Sequence, residues 1–191
     1  MIIGNYTISR KNEPFIVAEM SGNHNQSLER AIKLVEAAAE SGAHILKLQT
    51  YTADTLTIDS KNSDFFIADS KSLWKGKSLH QLYKEAYTPW EWQEKIMKRA
   101  NELGMLCFST PFDETAVDFL EKLNVPAYKI SSFENVHLPL IKKVAQTGKP
   151  VIVSTGLASK TEIEDAVQAL KIGGCKQFAL LKCTSAYPAS A

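Results

Sequence analysis

Six short apolar runs, each ending in polar or hydroxyl residues just before the chain turns, constrain the fold more than any other feature. These runs lie near residues 15–19, 44–50, 105–110, 127–132, 150–156 and 178–184. Continuous apolar runs separated by helical segments are typical of parallel strands that are buried on both faces. Polar residues at the carboxyl ends of such strands occupy the place where an α/β barrel keeps its active site. The sequence therefore predicts an enzyme whose chemistry is distributed over several strand ends.

The strand count and the residues after the first strand favour a barrel over a nucleotide-binding sheet. Residues 21–26 read Ser-Gly-Asn-His-Asn-Gln, so the dinucleotide-binding fingerprint is missing there, and no phosphate-loop pattern occurs. We predict an α/β protein with a (β/α)8 TIM barrel, of which residues 1–191 supply about the first six strands as one domain. Residues 1–14 add a short β-hairpin. We expect the barrel to continue past residue 191, because the sixth strand would otherwise leave an apolar edge.

Helix and loop signals fill the spaces between these strands. Ser27 is predicted to cap the first helix, Pro89 to open another, and Thr161 with Glu164 to form a capping box. Residues 51–88 are too long for an ordinary connection, and they contain several aromatic residues. Because this segment follows a barrel strand, an active-site lid is favoured over a surface insertion.

Composition narrows the classes of partner. Lysine plus arginine total 22 and aspartate plus glutamate 21, which gives a net charge of +1 and no reason to expect nucleic acid or anionic membrane as a partner. No apolar run approaches the roughly 20 residues that a membrane span needs. The three cysteines show no CxxC spacing, and Cys107 and Cys183 are predicted in buried strands. These features predict a cytoplasmic protein.

Two lysines in the predicted strands indicate an anionic ligand. Lys47 and Lys129 have apolar neighbours, and a lysine in a buried strand is costly without a negatively charged partner. Two of them at strand ends predict a doubly anionic ligand, although a structural lysine–glutamate pair remains an alternative. Lys182 is a third candidate whose direction the pattern does not decide.

Hydroxyl groups at neighbouring strand ends complete the pattern of a phosphate site. Ser132, Ser154, Thr155 and Ser185 offer hydroxyls, and Gly156 allows a ligand to approach the backbone closely. Lysines, hydroxyls and exposed backbone amides together make a phosphate cradle. A single serine here is more often only a strand-end cap, so the prediction depends on their joint placement.

Carboxylates and histidines supply the remaining candidates. Glu19 and Glu134 stand at or just after strand ends, where they can act as acid or base or lie near a metal, and Gln49 is a further polar candidate. His24 lies in a turn, where a structural role is the more frequent one. The four histidines form no HxH or HExxH set, so no complete metal site is readable.

Seven stretches in the same order along the chain resemble the sialic acid synthase family. They are Ile-Val-Ala-Glu at 16–19, Gly-Asn-His at 22–24, Lys-Leu-Gln-Thr at 47–50, Ser-Thr-Pro-Phe at 109–112, Ala-Tyr-Lys-Ile at 127–130, Ser-Thr-Gly at 154–156 and Cys-Thr-Ser-Ala-Tyr-Pro at 183–188. The resemblance implies an enzyme that condenses phosphoenolpyruvate with an N-acetylated amino sugar and water to give a nonulosonic acid and phosphate.

Within that family the chain is most similar to the pseudaminic acid synthases. It has Ser-Ser-Phe-Glu at 131–134 and Lys-Cys-Thr-Ser at 182–185, where sialic acid synthases usually have Gly-Ser-Gly-Glu and His-Cys-Thr-Asn. The resemblance implies a 2,4-diacetamido-2,4,6-trideoxy altrose-type sugar. An N-acetylneuraminic or legionaminic acid synthase is the alternative within the family.

The resemblance also assigns roles to single residues. The positions implied to hold phosphoenolpyruvate are Lys47, Lys129, Ser132, Ser154 and Ser185. Those implied on the sugar side are Thr110, Phe112 and Tyr187. Glu134 matches the carboxylate near the reacting carbonyl and water, whereas Glu19 and Gln49 are implied near the metal and phosphoenolpyruvate.

The resemblance further implies a divalent metal, Mn²⁺ or Mg²⁺, whose histidine ligands are expected beyond residue 191. It implies a homodimer for the full-length protein. Two other hypotheses remain open. One is a different barrel enzyme, such as an aldolase that forms a Schiff base on Lys129 or Lys47. The other is a non-catalytic sugar-binding barrel fragment.

Overall fold

A six-stranded parallel sheet forms the centre of the protein. The computed structural model describes residues 1–70 and 72–185. The sheet strands are β3 (Val17–Glu19), β4 (Ile45–Thr50), β5 (Leu106–Pro111), β6 (Tyr128–Ile130), β7 (Val151–Ser154) and β8 (Phe178–Leu181). They are hydrogen-bonded in chain order, and β1 (Ile2–Ile3) and β2 (Tyr6–Thr7) form a separate antiparallel hairpin. This half-barrel with an N-terminal hairpin confirms the predicted fold class.

Helices connect the strands and cover one face of the sheet. They are α1 (Leu28–Glu40), α2 (Ala53–Leu56), α3 (Leu79–Ala86), α4 (Trp90–Glu102), α5 (Glu114–Lys122), α6 (Leu138–Gln146) and α7 (Lys160–Ile172). Ser27 caps α1 as predicted, because its side chain accepts a hydrogen bond from the amide of Arg30. The capping box predicted at Thr161 and Glu164 is wrong: Ser159 and Glu162 form it, two residues earlier. The reason is that α7 begins at Lys160, which makes Ser159 the cap position.

Hydrogen bonds to helices show which strand side chains face outward. The Tyr128 hydroxyl donates to Glu121 of α5, and the Thr50 hydroxyl donates to Gln93 of α4. Successive side chains on a strand point to opposite faces, and parallel partners in register point the same way. The neighbours of these residues therefore face the barrel interior. The interior set on β4 to β7 is Ile45, Lys47, Gln49, Leu106, Phe108, Thr110, Lys129, Ile152 and Ser154.

The long segment between β4 and α4 is folded. It contains α2, a 3₁₀ turn at Ser63–Phe65 and α3, and Phe66 pairs with Ser78 in an isolated antiparallel bridge. Ser78 and Gln81 form a capping box that starts α3. The lid role predicted for residues 51–88 stays a prediction.

Two further findings concern the last strand and the helices. β8 ends at Leu181, so Cys183 follows the strand instead of lying within it, and it is only partly buried. The expectation of a buried strand cysteine is thus wrong for Cys183 and confirmed for Cys107. No helix in the described part of the chain has the length and apolar character that a membrane crossing requires.

Candidate active site

Lys47 and Glu19 form an ion pair on the interior face at the β3–β4 side of the sheet. The two residues are register partners on neighbouring parallel strands, so their side chains lie side by side. The Lys47 side chain is 19% exposed and that of Glu19 is 34% exposed. Burial, and then repulsion from Lys129, lowers the pKa of Lys47 to about 8. The structural lysine–glutamate pair left open by the sequence is therefore present, and the pair lies within electrostatic range of Lys129.

Lys129 is held differently, by neutral oxygen atoms. Its ammonium donates to the hydroxyl of Ser154 at 2.5 Å and to the carbonyl of Ile130 at 2.9 Å. The residue is 9% exposed. Burial lowers the pKa of Lys129, although the nearby Cys183 and Glu134 oppose this shift. A buried ammonium with only neutral hydrogen-bond partners is well suited to an anionic ligand.

Gly156 follows β7 at the centre of a cluster of hydroxyl groups. Its amide donates to the Ser132 hydroxyl at 3.3 Å. A Cβ at this position would overlap the hydroxyl oxygens of Ser132 and Ser185. The buried Asn135 side chain donates to the carbonyls of Ser154 and Gly156, at 3.5 and 3.4 Å, and so holds this turn in place. We call Lys129, Ser132, Ser154, Ser185 and Gly156 together the anion cradle. The structure thus brings together Ser132, Ser154 and Ser185, whereas the hydroxyl of Thr155 donates to the carbonyl of Leu181 at 3.0 Å and lies outside the cluster.

Glu134 lies beside the anion cradle in the 3₁₀ turn Phe133–Val136, directly after β6. Burial raises the pKa of Glu134 to about 7, and its own backbone amide and Lys129 oppose the shift. Its Oε2 atom is buried and has no hydrogen-bond partner within residues 1–70 and 72–185. A carboxyl group with this pKa can donate or accept a proton near neutral pH.

Cys183 is a neighbour of the cradle that the sequence did not assign to the site. Burial alone would raise the pKa of Cys183. Hydrogen bonds from Ser154 and Ser132, the backbone of Thr155 and the charge of Lys129 together lower it. The preceding apolar run pointed to a strand interior, so no local signal marked this thiol.

Aromatic rings line the neighbouring part of the interior. Thr110 is buried at the end of β5, and the ring of Phe112 just beyond it contacts Tyr51 edge-on with centroids 5.3 Å apart. Tyr51 also contacts Tyr83 of α3, at 6.0 Å. Tyr187 lies outside the described residues. Asn135 is an additional residue near the site that the sequence did not indicate, whereas Tyr83 is one of the aromatic residues of the predicted lid segment 51–88.

The other polar candidates lie at the margins of the site. Gln49 is partly buried on the interior face of β4, between the positions of Lys47 and Thr110. Lys182 follows β8 and is exposed. His24 is buried and shares a hydrogen bond of 3.0 Å with the hydroxyl of Thr88, so the structural role favoured for it is confirmed. In residues 1–70 and 72–185, no three His, Cys, Asp or Glu side chains are arranged to hold a metal ion.

Comparison with known proteins identifies the family. The model of the NeuB family matches residues 34–191. The chain belongs to the NeuB family. This membership confirms the resemblance to sialic acid synthases that the seven sequence stretches indicated.

The chain is similar to pseudaminic acid synthases. It is 46% identical over 175 residues to that of Helicobacter pylori, covering 92% of this chain and 51% of the relative. It is 43% identical over 188 residues to that of Campylobacter jejuni serotype O:23/36, covering 98% and 54%. Identity to an N,N'-diacetyllegionaminic acid synthase of Campylobacter jejuni is 35%, over 91% of this chain and 52% of the relative. The chain thus spans about half the length of the curated relatives it matches.

A solved structure has the same architecture. The N-acetylneuraminic acid synthetase of Leptospira borgpetersenii in complex with citrate superimposes with a TM-score of 0.85 at 29% identity. The match covers all of this chain and 61% of that one.

Proposed function

We propose that this chain is part of a nonulosonic acid synthase that joins phosphoenolpyruvate to 2,4-diacetamido-2,4,6-trideoxy altrose. The observation that carries the proposal is the anion cradle, in which a buried ammonium, three hydroxyls and a Cβ-free turn meet at the ends of β6, β7 and β8. Higher identity to pseudaminic than to legionaminic acid synthases supports the choice of sugar. We further propose that residues 1–191 belong to one barrel domain.

In this proposal the cradle binds the anionic groups of phosphoenolpyruvate. Lys129 donates to the Ser154 hydroxyl. The hydroxyls of Ser132 and Ser185 lie against Gly156, whose amide donates to Ser132. Lys47 lies on the same interior face, and in this proposal its ammonium group, whose charge Glu19 balances, donates a hydrogen bond to phosphoenolpyruvate. The work of these residues is to position phosphoenolpyruvate and to stabilise charge.

The reaction forms one C–C bond and releases phosphate. C3 of phosphoenolpyruvate attacks the sugar aldehyde carbon, and the aldehyde oxygen takes up a proton. Water adds to the cation at C2 and gives up a proton. The C2–O bond to phosphate then breaks as the new C2 hydroxyl passes its proton to the leaving phosphate and becomes the C2 carbonyl. Glu134 has a pKa of about 7, which suits either proton transfer. In this proposal Thr110, which is buried, and Phe112, which packs against Tyr51, contact the sugar, and Glu19 keeps Lys47 in place.

For the proposed enzyme we infer metal dependence from its family and not from the described residues. A divalent Mn²⁺ or Mg²⁺ would polarise the aldehyde. The described residues contain no set of ligands that fits such an ion. A homodimer of the full-length protein stays a prediction.

A competition assay tests the proposed function. The full-length protein, supplied with phosphoenolpyruvate and Mn²⁺, should release phosphate with a higher kcat/KM for the diacetamido altrose-type sugar than for N-acetylmannosamine. A higher value for N-acetylmannosamine would contradict the choice of sugar. If neither sugar supports phosphate release, and borohydride traps a covalent adduct on Lys129 or Lys47, the aldolase is favoured instead.

A further inference from the structure

The loop between β3 and α1 holds the C-terminal end of α3 in place. The side-chain amide of Gln26 donates to two backbone carbonyls there, that of Glu85 at 2.9 Å and that of Tyr87 at 2.6 Å. The last carbonyls of a helix have no partner within the helix, so these bonds satisfy groups that would otherwise need water. The partners are 59 and 61 positions from Gln26 in the sequence, so this tertiary contact defines where the end of α3 lies.

Two other residues of the loop support this contact. His24 is fully buried; its Nδ1 atom accepts from the amide of Gln26 at 3.1 Å, and its Nε2 atom lies 3.0 Å from the hydroxyl of Thr88. Gly22 lies so close to the end of α3 that a Cβ there would come within 2.6 Å of the Ala86 carbonyl oxygen. We call Gly22, His24 and Gln26 the α3 anchor.

The backbone of the loop is strained where the α3 anchor forms. Asn25 and Gln26 both adopt the left-handed conformation, with φ of +50° and +55°, which is unfavourable for residues other than glycine. Such conformations persist where the surrounding contacts determine them. For Gln26, the hydrogen bonds to His24 and to the end of α3 are contacts of this kind.

The start of α3 is fixed by a separate set of contacts. Ser78 and Gln81 form the capping box of the helix, and His80 lies 2.9 Å from the Asp54 carboxylate of α2. These contacts hold the first turn, and the α3 anchor holds the last turn, which contains Tyr83. The position of the Tyr83 side chain therefore depends on the loop after β3.

Tyr83 connects α3 to the sugar side of the candidate site. Its ring meets that of Tyr51 edge-on, with centroids 6.0 Å apart, and Tyr51 in turn meets Phe112 at 5.3 Å. Phe112 follows β5 and is one of the residues proposed to contact the sugar. A continuous series of contacts therefore runs from Gln26 through the last turn of α3 to Phe112.

We propose that Gln26 is a positioning residue for the sugar side of the site. By fixing the last turn of α3, it keeps the ring of Tyr83 against Tyr51 and thereby holds Phe112 in the place where it contacts the sugar. The effect on sugar binding rests on the proposed function, whereas the anchoring of α3 does not. Because the series of contacts does not pass through Lys129, binding of phosphoenolpyruvate should not depend on Gln26.

Hydrogen–deuterium exchange of the full-length protein tests the anchoring without any ligand. Gln26→Glu keeps the shape of the side chain but replaces the amide donor by a carboxylate, so both bonds are lost and a negative charge lies against two carbonyl oxygens. We expect the amides of residues 79–88 to exchange about tenfold faster. Asn25→Asp is the matched control: it makes the same chemical change at the adjacent exposed residue, which has the same backbone conformation, and should leave this exchange unchanged.

Kinetics then test the positioning role. With phosphoenolpyruvate and Mn²⁺ supplied, Gln26→Glu should raise the KM for the diacetamido altrose-type sugar about fivefold to tenfold, as for the loss of two neutral hydrogen bonds. The affinity for phosphoenolpyruvate in calorimetry should stay within about twofold of that of the unaltered protein. A variant that is only less stable would instead lose kcat at an unchanged KM. Thermal unfolding checks that the variant is folded, and Gln26→Ala, with a smaller expected effect, serves if it is not.

A double-mutant cycle shows whether Gln26 acts through Tyr83. Tyr83→Leu should also raise the KM for the sugar, and adding Gln26→Glu to it should change that KM by less than about twofold, because both changes act on one series of contacts. Effects that multiply in the double variant would overturn the proposal. So would unchanged exchange of residues 79–88 in folded Gln26→Glu, or faster exchange with an unchanged KM for the sugar. If the unaltered protein releases no phosphate with either sugar, the proposed function fails, and faster exchange in Gln26→Glu still supports the anchoring of α3.

Discussion

The two lysines on the interior face of the sheet are both largely buried, yet they are stabilised in opposite ways. Lys47 lies against the carboxylate of Glu19, so its charge is balanced within the protein. Lys129 donates to the Ser154 hydroxyl and a backbone carbonyl, and the nearby Glu134 has a pKa of about 7. At neutral pH Glu134 therefore carries only part of a negative charge. The comparison teaches that the positive charge on the β6–β7 side of the site is not fully balanced within the protein and can bind an anionic ligand. On the β3–β4 side, Glu19 balances the charge of Lys47.

The largest expected effect comes from removing the ammonium group of Lys129. Lys129→Ala in the full-length protein should weaken phosphoenolpyruvate binding by about 2–5 kcal/mol, as for the loss of a desolvated charge partner. Isothermal titration calorimetry with phosphoenolpyruvate measures the change. Lys33→Ala is the control, since Lys33 is an exposed lysine paired with Glu29 on α1. An affinity equal to that of the unaltered protein would remove Lys129 from the site.

The next effect tests whether Glu134 fails to balance Lys129. Because the pKa of Glu134 is raised from 4.5 to about 7, the folded state binds more protons than the unfolded chain between these values. The contribution of Glu134 to stability is present below 4.5 and lost as pH rises through about 7, by up to about 3 kcal/mol. Urea unfolding at several pH values should show a flatter dependence in Glu134→Gln. An unchanged dependence would mean that the pKa of Glu134 is not raised in the folded state, so that Glu134 is ionised at neutral pH.

A smaller effect is expected when a methyl group is added inside the anion cradle, and it tests whether the cradle binds the ligand. Gly156→Ala places a Cβ against the hydroxyls of Ser132 and Ser185, and such overpacking costs about 1–3 kcal/mol. We expect most of this cost to appear as weaker phosphoenolpyruvate binding in calorimetry. Gly104→Ala is the control, because its Cβ meets no atom within 4 Å although its φ of +82° strains the backbone. Equal loss of affinity in both variants would show that the cradle is not the ligand site.

The smallest expected effect comes from changing the ion pair between Glu19 and Lys47. Glu19→Gln leaves the Lys47 charge without its partner and should lower the free energy of unfolding by about 1 kcal/mol, since both side chains are partly exposed. The double variant Glu19→Gln with Lys47→Met removes both charges and should recover that loss. Chemical denaturation measures both values. If the double variant is less stable than Glu19→Gln, the pair is not a simple charge balance.

Much of this site was predictable because strand ends are local features. Apolar runs followed by lysine, serine or glutamate indicated where each strand stops, and the rule for parallel sheets placed those ends together. Ser132, Ser154, Gly156 and Lys129 were predicted in this way. The roles assigned to them stay predictions until binding is measured.

The errors arose where the boundary of an element decides the environment of a residue. The apolar run before Cys183 predicted a strand interior, but β8 ends at Leu181 and leaves the thiol beside the cradle. The capping box moved from Thr161 to Ser159 for the same reason. Element ends depend on hydrogen bonds that single-residue patterns define only within a few residues.

The sequence by itself determined the parallel strands, the polar residues at their carboxyl ends and the family, because these depend on local patterns and on collinear motifs. Only the tertiary structure decided which partner each lysine contacts and how deeply Glu134 is buried. Glu19 and Lys47 are 28 positions apart, and Lys129 and Ser154 are 25 apart. Such pairs meet only when the register of the strands is set, and burial then determines the pKa values of both lysines and of Glu134.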